Sequence, residues 1–519
     1  MLSFRNIKTG LSVFSLALFA VLVNTVSFAQ KKPNVLVIIS DDHTMQSIGA
    51  YGSRFGVTPH IDKLASEGVV FNRAFVTNSI CAPSRAVFLT GKFSHKNGHI
   101  TNGTRFNATQ PQFQHYLNDA GYQTAWIGKW HLESDPQGFD YWQVLPGQGH
   151  YYNPDFIMMD GSRKRINGYC TNIITDQAIQ WLDARDTSKS FFLVIGQKAT
   201  HRTWMPDTVD FGSTDQLNIP LPENFYDDYQ GRIAARDQDL SIEKTMLLGY
   251  DLKIFDHDSL ALKDGNIKRM TKNQQQQFFN YYNPIKTDFD SRHLTGKALA
   301  EWKYQRYMKD YLATTLSLDR SVGNVTAWLK ENNLLENTLV IYTSDQGFYL
   351  GEHGWFDKRF MYEESMRTPL IIRYPEMIRP GSQNNNLVQN IDLAPTFLQL
   401  AGLPVPEDMQ GESLLPILQS DNDVNGWRKG VYYHYYEFPG EHHVYRHFGI
   451  RTSRYKLIRF YGEKNFWELY DLENDPSEMK NLYGTKAYKK ITDDLSHQLL
   501  ELIAQYDDQE AFAILREVK

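Results

Sequence analysis

The sequence predicts an α/β fold: a mixed, mostly parallel sheet flanked by helices, with a smaller C-terminal α+β subdomain of antiparallel strands and a helix. Three observations carry that reading. Four short apolar runs, residues 35–39, 124–127, 191–195 and 339–342, have the unbroken hydrophobicity of strands buried on both faces, and each delivers polar or charged residues just past its end. Helical patterns fall between these runs, at residues 59–67, 112–120 and 176–184, with one or two helices over 297–332. After about residue 421 the pattern changes to aromatic and β-branched runs at 431–436, 448–452 and 455–459, followed by a helix over about 485–506.

At the N-terminus, Arg5 and Lys8 precede an apolar stretch over residues 11–23, and Ser27-Phe28-Ala29 supplies a small-x-small cleavage pattern, so residues 1–29 read as an export signal. The stretch is too short for a comfortable membrane span and no later segment resembles one. No stable membrane anchor is therefore expected, and the periplasm is the expected destination. Residues 30–420 then make the main domain and 421–519 the subdomain. Residues 205–296 are polar and irregular, with scattered Phe, Tyr and Leu, and are expected to form a long insertion near the mouth of a pocket. A chain of 519 residues that is 41% hydrophobic is neither disordered nor fibrous. Its net charge of −6 argues against a nucleic-acid partner. A polyanionic ligand would need a local basic pocket.

Open α/β sheets hold ligands beyond the C-terminal ends of their strands. Asp41 and Asp42 follow the first run; Asp345 and Gln346 follow the fourth. Three carboxylates and an amide are hard oxygen ligands that suit calcium or magnesium, and adjacent acids favour a cation that offsets their repulsion. Each pair alone also fits a turn; their coincidence at two strand ends favours the metal. Only Cys81 and Cys170 are present, too few for a disulfide scaffold. A single bridge between them is the plain alternative.

The segment Cys81-Ala82-Pro83-Ser84-Arg85, followed by Leu89-Thr90-Gly91, resembles the modification signature of the sulfatase family, within the alkaline-phosphatase-like superfamily. Gly121-Tyr122-Gln123-Thr124-Ala125-Trp126-Ile127-Gly128-Lys129-Trp130-His131 resembles that family's second signature, and Leu469-Tyr470-Asp471-Leu472 with Asp475-Pro476 its C-terminal pattern. The resemblance runs from about residue 33 to about residue 482. It implies an alkaline-phosphatase-like fold and a formylglycine-generating maturase that oxidises Cys81. A serine that attacked a sulfate ester would itself become a stable alkyl sulfate. A hydrated aldehyde carries two hydroxyls, so one can take the sulfuryl group and the other can lose a proton to expel sulfate.

The resemblance further implies that Asp41, Asp42, Asp345 and Gln346 hold Ca²⁺ together with the modified Cys81, Gln346 standing where the family often has Asn. Arg85, Lys129 and Lys358 would surround the sulfate, with Arg85 also bracing the hydrate. His131 would take a proton from the hydrate as the aldehyde is regenerated. His201, in Lys198-Ala199-Thr200-His201, would protonate the leaving alkoxide, a contribution of roughly 10²–10⁴-fold, with Lys198 assisting through charge. Cys170 matches no motif and reads as buried filler.

The core points to a sulfate ester without naming the alcohol. Asp357 and Arg359 flank Lys358 and, with Tyr362-Glu363 and the stretches 138–142 and 149–153, resemble N-acetylglucosamine-6-sulfatases. That likeness implies a sulfated glycan substrate, with 6-O-sulfate removed from glucosamine residues of heparan sulfate or mucin type. Asp357 and Arg359 would then bind sugar hydroxyls, or else form a surface ion pair. His443 and His447, beside Glu441-His442 and Arg446, are expected substrate contacts from the subdomain, against a plain solvated loop. Other sulfated sugars, phosphonate or phosphodiester hydrolysis, and glycan binding with Cys81 unconverted are the competing readings.

Overall fold

The computed structural model describes residues 32–419, 424 and 426–517; the export segment expected at residues 1–29 lies outside the described residues. In chain order the strands are β1 (Asn34–Ser40), β2 (Val69–Phe71), β3 (Ala74–Phe75), β4 (Gln123–Lys129), β5 (Tyr141–Leu145) and β6 (Asp155–Met158). They continue with β7 (Arg163–Arg165), β8 (Phe191–Gly196), β9 (Thr338–Ser344), β10 (Leu370–Arg373), β11 (Ser382–Asn384) and β12 (Val388–Gln389). The last four are β13 (Gly430–Tyr435), β14 (His447–Thr452), β15 (Tyr455–Phe460) and β16 (Phe466–Asp471).

The main sheet has the order β11-β2-β10-β9-β1-β8-β4-β5-β6-β7. Its middle five strands, β9, β1, β8, β4 and β5, run parallel; β10, β6 and β7 join antiparallel. The four apolar runs of the sequence are the four adjacent strands β9, β1, β8 and β4. Residues of β1 alternate between two cores. Val35, Val37 and Ile39 pack with the helices Cys81–Thr90, Phe113–Asp119 and Leu393–Leu400. Leu36 and Ile38 pack with Pro59–Ser66, Cys170–Ala184 and Gly296–Glu331. Burial on both faces is why these strands lack polar alternation; each such side chain contributes about 1.5–3 kcal/mol.

Register levels the strand ends. Ser40 lies opposite Ser344, Ile39 opposite Gly196, and Gly196 opposite Gly128. The chain therefore leaves β1, β9, β8 and β4 at one height, which brings residues 41–42, 345–346, 197–201 and 129–131 together. At Gly128 φ is +104°, and a Cβ there would lie 2.1 Å from the Gly196 carbonyl oxygen. Glycine is what lets β4 and β8 close at that level.

The C-terminal strands form an antiparallel meander, β13-β14-β15-β16. One face packs on the helices Lys489–Gln505 and Gln509–Glu517. The other packs Tyr433, Tyr435, Phe460 and Tyr470 against Trp355, Phe360 and Tyr362 of the main domain. Three of these strands were legible; β16 was not separately anticipated. Cys81 and Cys170 are buried and unbridged. Among the described residues no helix is long and apolar enough to cross a membrane.

Residues 205–296 are largely turns, but they contain a helix, Lys272–Arg292, that the composition did not suggest. It buries only Phe278 and Tyr282, too few to give a hydrophobic period. Its start signal, a capping box between Thr271 and Gln274, is present in the sequence. The insertion also braces the site. Arg232 donates to Asp227, and the Asp227 carboxylate lies 2.7 Å from His353 Nδ1. Arg232 donates on to the Glu478 carbonyl at 3.2 Å.

Burial pushes the Asp227 carboxyl up, but hydrogen bonds from His353 and Arg232 outweigh it and hold the group at about 2, against an ordinary 3.8. The pairing therefore stabilises fully above about pH 4 and is lost as pH falls through about 2. Asp227→Ala is expected to cost about 3 kcal/mol at pH 7, the loss typical of breaking a buried pair, with the deficit fading in acid. Denaturant titrations across pH check this; a pH-independent deficit would assign the loss to packing instead.

Candidate active site

Three acids converge where β1 and β9 end. Asp41, Asp42 and Asp345 are buried, and each offers an oxygen within 4.8 Å of the others. The backbone fixes them. The Asp345 N–H donates to the Ser40 carbonyl at 3.1 Å, and the Asp42 N–H to the Asp345 carboxylate at 3.3 Å. Asp42 has φ +63° and is held there through its carbonyl, which accepts from Tyr311 at 2.8 Å and Thr200 at 3.0 Å. Gln346 donates from Nε2 to Asp42 and to Cys81 Sγ, while its buried Oε1 has no partner among the described residues. Three carboxylates and an orphaned amide oxygen fit a hard divalent cation.

Each acid has a basic partner. Lys129 Nζ donates to Asp41, Lys358 Nζ to both Asp42 oxygens at 2.7 and 2.8 Å, and Arg85 to Asp345 at 3.0 Å. Burial pushes Asp42 up to about 7, against Lys358. Burial and the neighbouring Asp41 push Asp345 up to about 6, against Arg85. Burial opposes ionisation of Asp41 too, but Lys129, His201, Arg85 and Lys358 together hold it well below the carboxylate range. A divalent cation would relieve the repulsion that raises the other two.

Cys81 opens the helix Cys81–Thr90, and its thiol points at Asp41 Oδ1, 3.5 Å away. Burial, with help from Asp41, raises its pKa far above the thiol range, so the unmodified group is a poor nucleophile. Ser84 donates to the Asp345 carbonyl and Arg85 to the Lys129 carbonyl at 2.9 Å, so the signature helix is tied to both strand ends. His131 is buried with Nδ1 unpartnered among the described residues, and burial followed by Lys129 keeps its imidazole neutral. It can therefore accept a proton. His201 Nδ1 lies 2.6 Å from the Arg202 carbonyl, and its Nε2 is 3.9 Å from Asp42. Lys198 rests 4.8 Å above the Tyr151 ring; burial and Lys129 lower it to about 8.

Asp357 and Arg359 are 3% and 2% exposed, so they do not form a surface pair. Arg359 lies 3.3 Å from Asp357 and donates to Glu437 at 2.8 Å. Both sit at positive φ, as do Asp42, His131 and His443. Such backbone costs about 1–3 kcal/mol per residue and persists only where surrounding contacts enforce it. The two histidines expected at the substrate fall elsewhere. His447 lies in β14 with Nδ1 against the Tyr445 carbonyl at 2.7 Å and Nε2 accepting from the Met361 N–H at 3.0 Å, which leaves no nitrogen for a ligand. His443 turns outward, its side chain 57% exposed, beside Asp239. Their neighbour His442 is the one that enters, 3.5 Å from Asp357.

Gln148 was also missed. Its Oε1 accepts from Lys129 Nζ at 2.6 Å and its carbonyl from Lys198 Nζ at 3.0 Å, so one residue sets the spacing of two cations. Its only sequence signal is a glutamine between Gly147 and Gly149, both at positive φ. Hydrogen bonds to charged groups contribute about 1.5–3 kcal/mol. Gln148→Ala is expected to weaken binding of sulfate, as a tetrahedral oxyanion probe, roughly 10- to 100-fold in calorimetry. Unchanged affinity would show that Asp41 alone positions Lys129.

Known proteins are similar to this chain along most of its length. A family model for sulfatases matches residues 33–403, and one for the C-terminal part of N-sulphoglucosamine sulphohydrolase matches residues 351–505. The N-acetylglucosamine-6-O-sulfatase of Bacteroides thetaiotaomicron is 47% identical over 490 residues, covering 92% of this chain and 88% of that protein. Human N-acetylglucosamine-6-sulfatase is 28% identical over 440 residues, covering 79% of this chain and 68% of that protein. The structure of BT4656 in complex with its substrate D-glucosamine-2-N,6-O-disulfate aligns with a TM-score of 0.90 at 47% identity, over 92% of this chain and 99% of that one. The expected alkaline-phosphatase-like architecture holds, and the chain belongs to the sulfatase family of sulfuric ester hydrolases.

Proposed function

We propose that this enzyme removes the 6-O-sulfate of N-acetylglucosamine or related glucosamine residues in heparan sulfate or mucin-type glycans. The observation that carries the reading is the 47% identity, along nine-tenths of the chain, to an N-acetylglucosamine-6-O-sulfatase. On this reading a maturase converts Cys81 to formylglycine, whose hydrate supplies the nucleophile. Residues 1–29 direct export to the periplasm, residues 30–420 form the catalytic domain, and residues 421–519 wall the pocket.

Asp41, Asp42, Asp345 and Gln346, with the modified Cys81, would hold Ca²⁺, which when bound supplies positive charge to a sulfate oxygen. Arg85, Lys129 and Lys358 bind and orient the sulfate. Each is buried, so its charge acts across little water. Lys198 adds a fourth cation on the side of the leaving group. His131 receives a proton at its unpartnered Nδ1. His201 holds Nε2 toward the site while the Arg202 carbonyl accepts from Nδ1; burial and the neighbouring lysines disfavour its protonated form and Asp41 favours it, so a proton held there is readily given to the sugar oxygen. Asp357 and Arg359 bind sugar hydroxyls, and His442 orients Asp357. His443 and His447 take no part.

Matured protein incubated with N-acetylglucosamine-6-sulfate is expected to release free sulfate. No release, with turnover of a different sulfated sugar, would overturn the substrate. A higher kcat/KM on phosphodiesters would overturn the sulfate chemistry. Peptide mass spectrometry should find the Cys81 segment about 18 Da lighter than its cysteine form. Chelation should abolish turnover, and added Ca²⁺ should restore it. His201→Ala should cost roughly 10²–10⁴-fold on the sugar sulfate but little on a nitrophenyl sulfate, whose leaving group needs no proton. Equal losses on both would exclude His201 as the acid.

A further inference from the structure

We propose a second, non-catalytic site on the outer face of the C-terminal sheet, where Arg446, Arg459, Trp467 and Tyr483 hold a sulfated stretch of the glycan. It rests on the reading that the substrate is a sulfated polymer. A groove of about 710 Å³ lies there, lined also by Tyr461 and Glu510. Strand alternation separates it from the active site. Leu457 of β15 and Tyr461, which follows it, pack on the helix side, whereas Ile458 and Phe460 pack toward Phe360 and Tyr362. Arg459 shares the side of Leu457 and Tyr461.

Arg459 is 4% exposed and has no carboxylate partner among the described residues. It donates to Asn465 Oδ1 at 3.1 Å and to the Phe466 carbonyl at 3.5 Å, and its buried Nε has no partner. A cation withdrawn from water without a counter-charge is costly, and an anion in the groove supplies what is missing. Arg446 differs: it is partly exposed and pairs with the half-exposed Glu463 at 3.7 Å, and only its Nε is buried and unpartnered. The two guanidinium groups lie over aromatic faces, Arg446 over Tyr461 and Arg459 over Trp467, each at 5.3 Å. Arg459 is held by its amide and carbonyl acceptors and supplies charge from behind, while the partly exposed Arg446 presents guanidinium N–H groups that suit a sulfate.

Two further features fit a sugar rather than a bare anion. Tyr483 stacks on Trp467 at 5.8 Å and 12° and is 39% exposed, a flat platform for a pyranose face. Glu510 supplies an acceptor for hydroxyls. At Gly462, with φ +87°, a Cβ would stand 2.5 Å from the Arg446 guanidinium, so glycine preserves its seat.

The test uses Arg446→Ala/Tyr483→Ala, both partly exposed, and separately Arg459→Gln. With active enzyme, KM for a long heparan sulfate chain that can reach both sites should rise about tenfold, the loss of roughly one charged contact, while kcat/KM for N-acetylglucosamine-6-sulfate stays within about twofold. Calorimetry on Cys81→Ala protein reads the groove without turnover: two hexasaccharide binding events are expected, and one after the groove substitutions. A single event in both proteins, or binding of inorganic sulfate to the groove without the hexasaccharide, would overturn the proposal. Absence of sulfate release by the unsubstituted enzyme would instead overturn the assigned activity, leaving the calorimetric result to decide the groove. Thermal midpoints of both variants within a few degrees of the parent confirm that the fold survives.

Discussion

Charge compensation at the level ends of four parallel strands is the constraint on which the rest of the structure depends. The register of β9, β1, β8 and β4 delivers Asp345, Asp41, Lys198 and Lys129 to one buried point. Isolated charges cannot be taken out of water at such a point, so every acid there is met by a base within hydrogen-bonding reach. Arg85, Lys129, Lys198 and Lys358 against three carboxylates leave one positive charge over, and a divalent ion would raise that excess further. A site of this kind is poised for an anion before any specific contact to the alcohol is made. A one-residue slip of β1 would exchange the side chains of its two buried faces and separate the acids, so core packing and catalytic geometry are fixed by the same register.

The legible parts of the molecule were those in which sequence neighbours do the chemical work. Strands buried on both faces announce themselves as unbroken apolar runs, and the polar residues at their ends follow directly, which is why Asp41, Asp42, Asp345 and Gln346 could be named. The segment around Cys81 and that ending at His131 are continuous stretches carrying their own resemblance. The illegible parts depend on contacts between distant residues. His442, His443 and His447 look alike in sequence, but strand pairing sends His447 into an aromatic core and a turn sends His443 outward, leaving His442 beside Asp357. Gln148 gives no signal because its role is to join Lys129 to Lys198, which only the sheet brings together. The helix Lys272–Arg292 was hidden because it buries too little to impose a period.

The loop carrying Asp357, Lys358 and Arg359 shows how a strained segment is kept in place. Asp357 and Arg359 both lie at positive φ, which a free loop would relax. Stacked rings on one side oppose this: Trp355 on Phe360 at 5.2 Å, and Phe360 on Tyr362 at 5.1 Å. On the other side, Tyr433 of β13 donates to the Arg359 carbonyl at 2.6 Å. The insertion adds its own clamp through Asp227, His353 and Arg232. The C-terminal sheet and the insertion thus act on catalysis, in the proposed reading, mainly by denying this loop its alternatives, so that Lys358 meets Asp42 without paying for order at the moment of binding.

The state of Cys81 follows from the same burial that makes the site effective. A thiolate there would face Asp41 at 3.5 Å in a pocket closed to water, and both effects raise its pKa. The helix N-terminus, Lys358 and Lys129 all favour the thiolate, but both lysines are committed to carboxylates and burial outweighs them. A neutral nucleophile precursor does not suffer this penalty, because an aldehyde hydrate can be buried uncharged and give up its proton only as bonds form. His131, neutral and with a free nitrogen, suits removal of a proton from such a group, whereas an arrangement built for a thiolate would want that histidine charged. A neutral thiol and a neutral imidazole at this position are consistent with the oxygen chemistry proposed for residue 81.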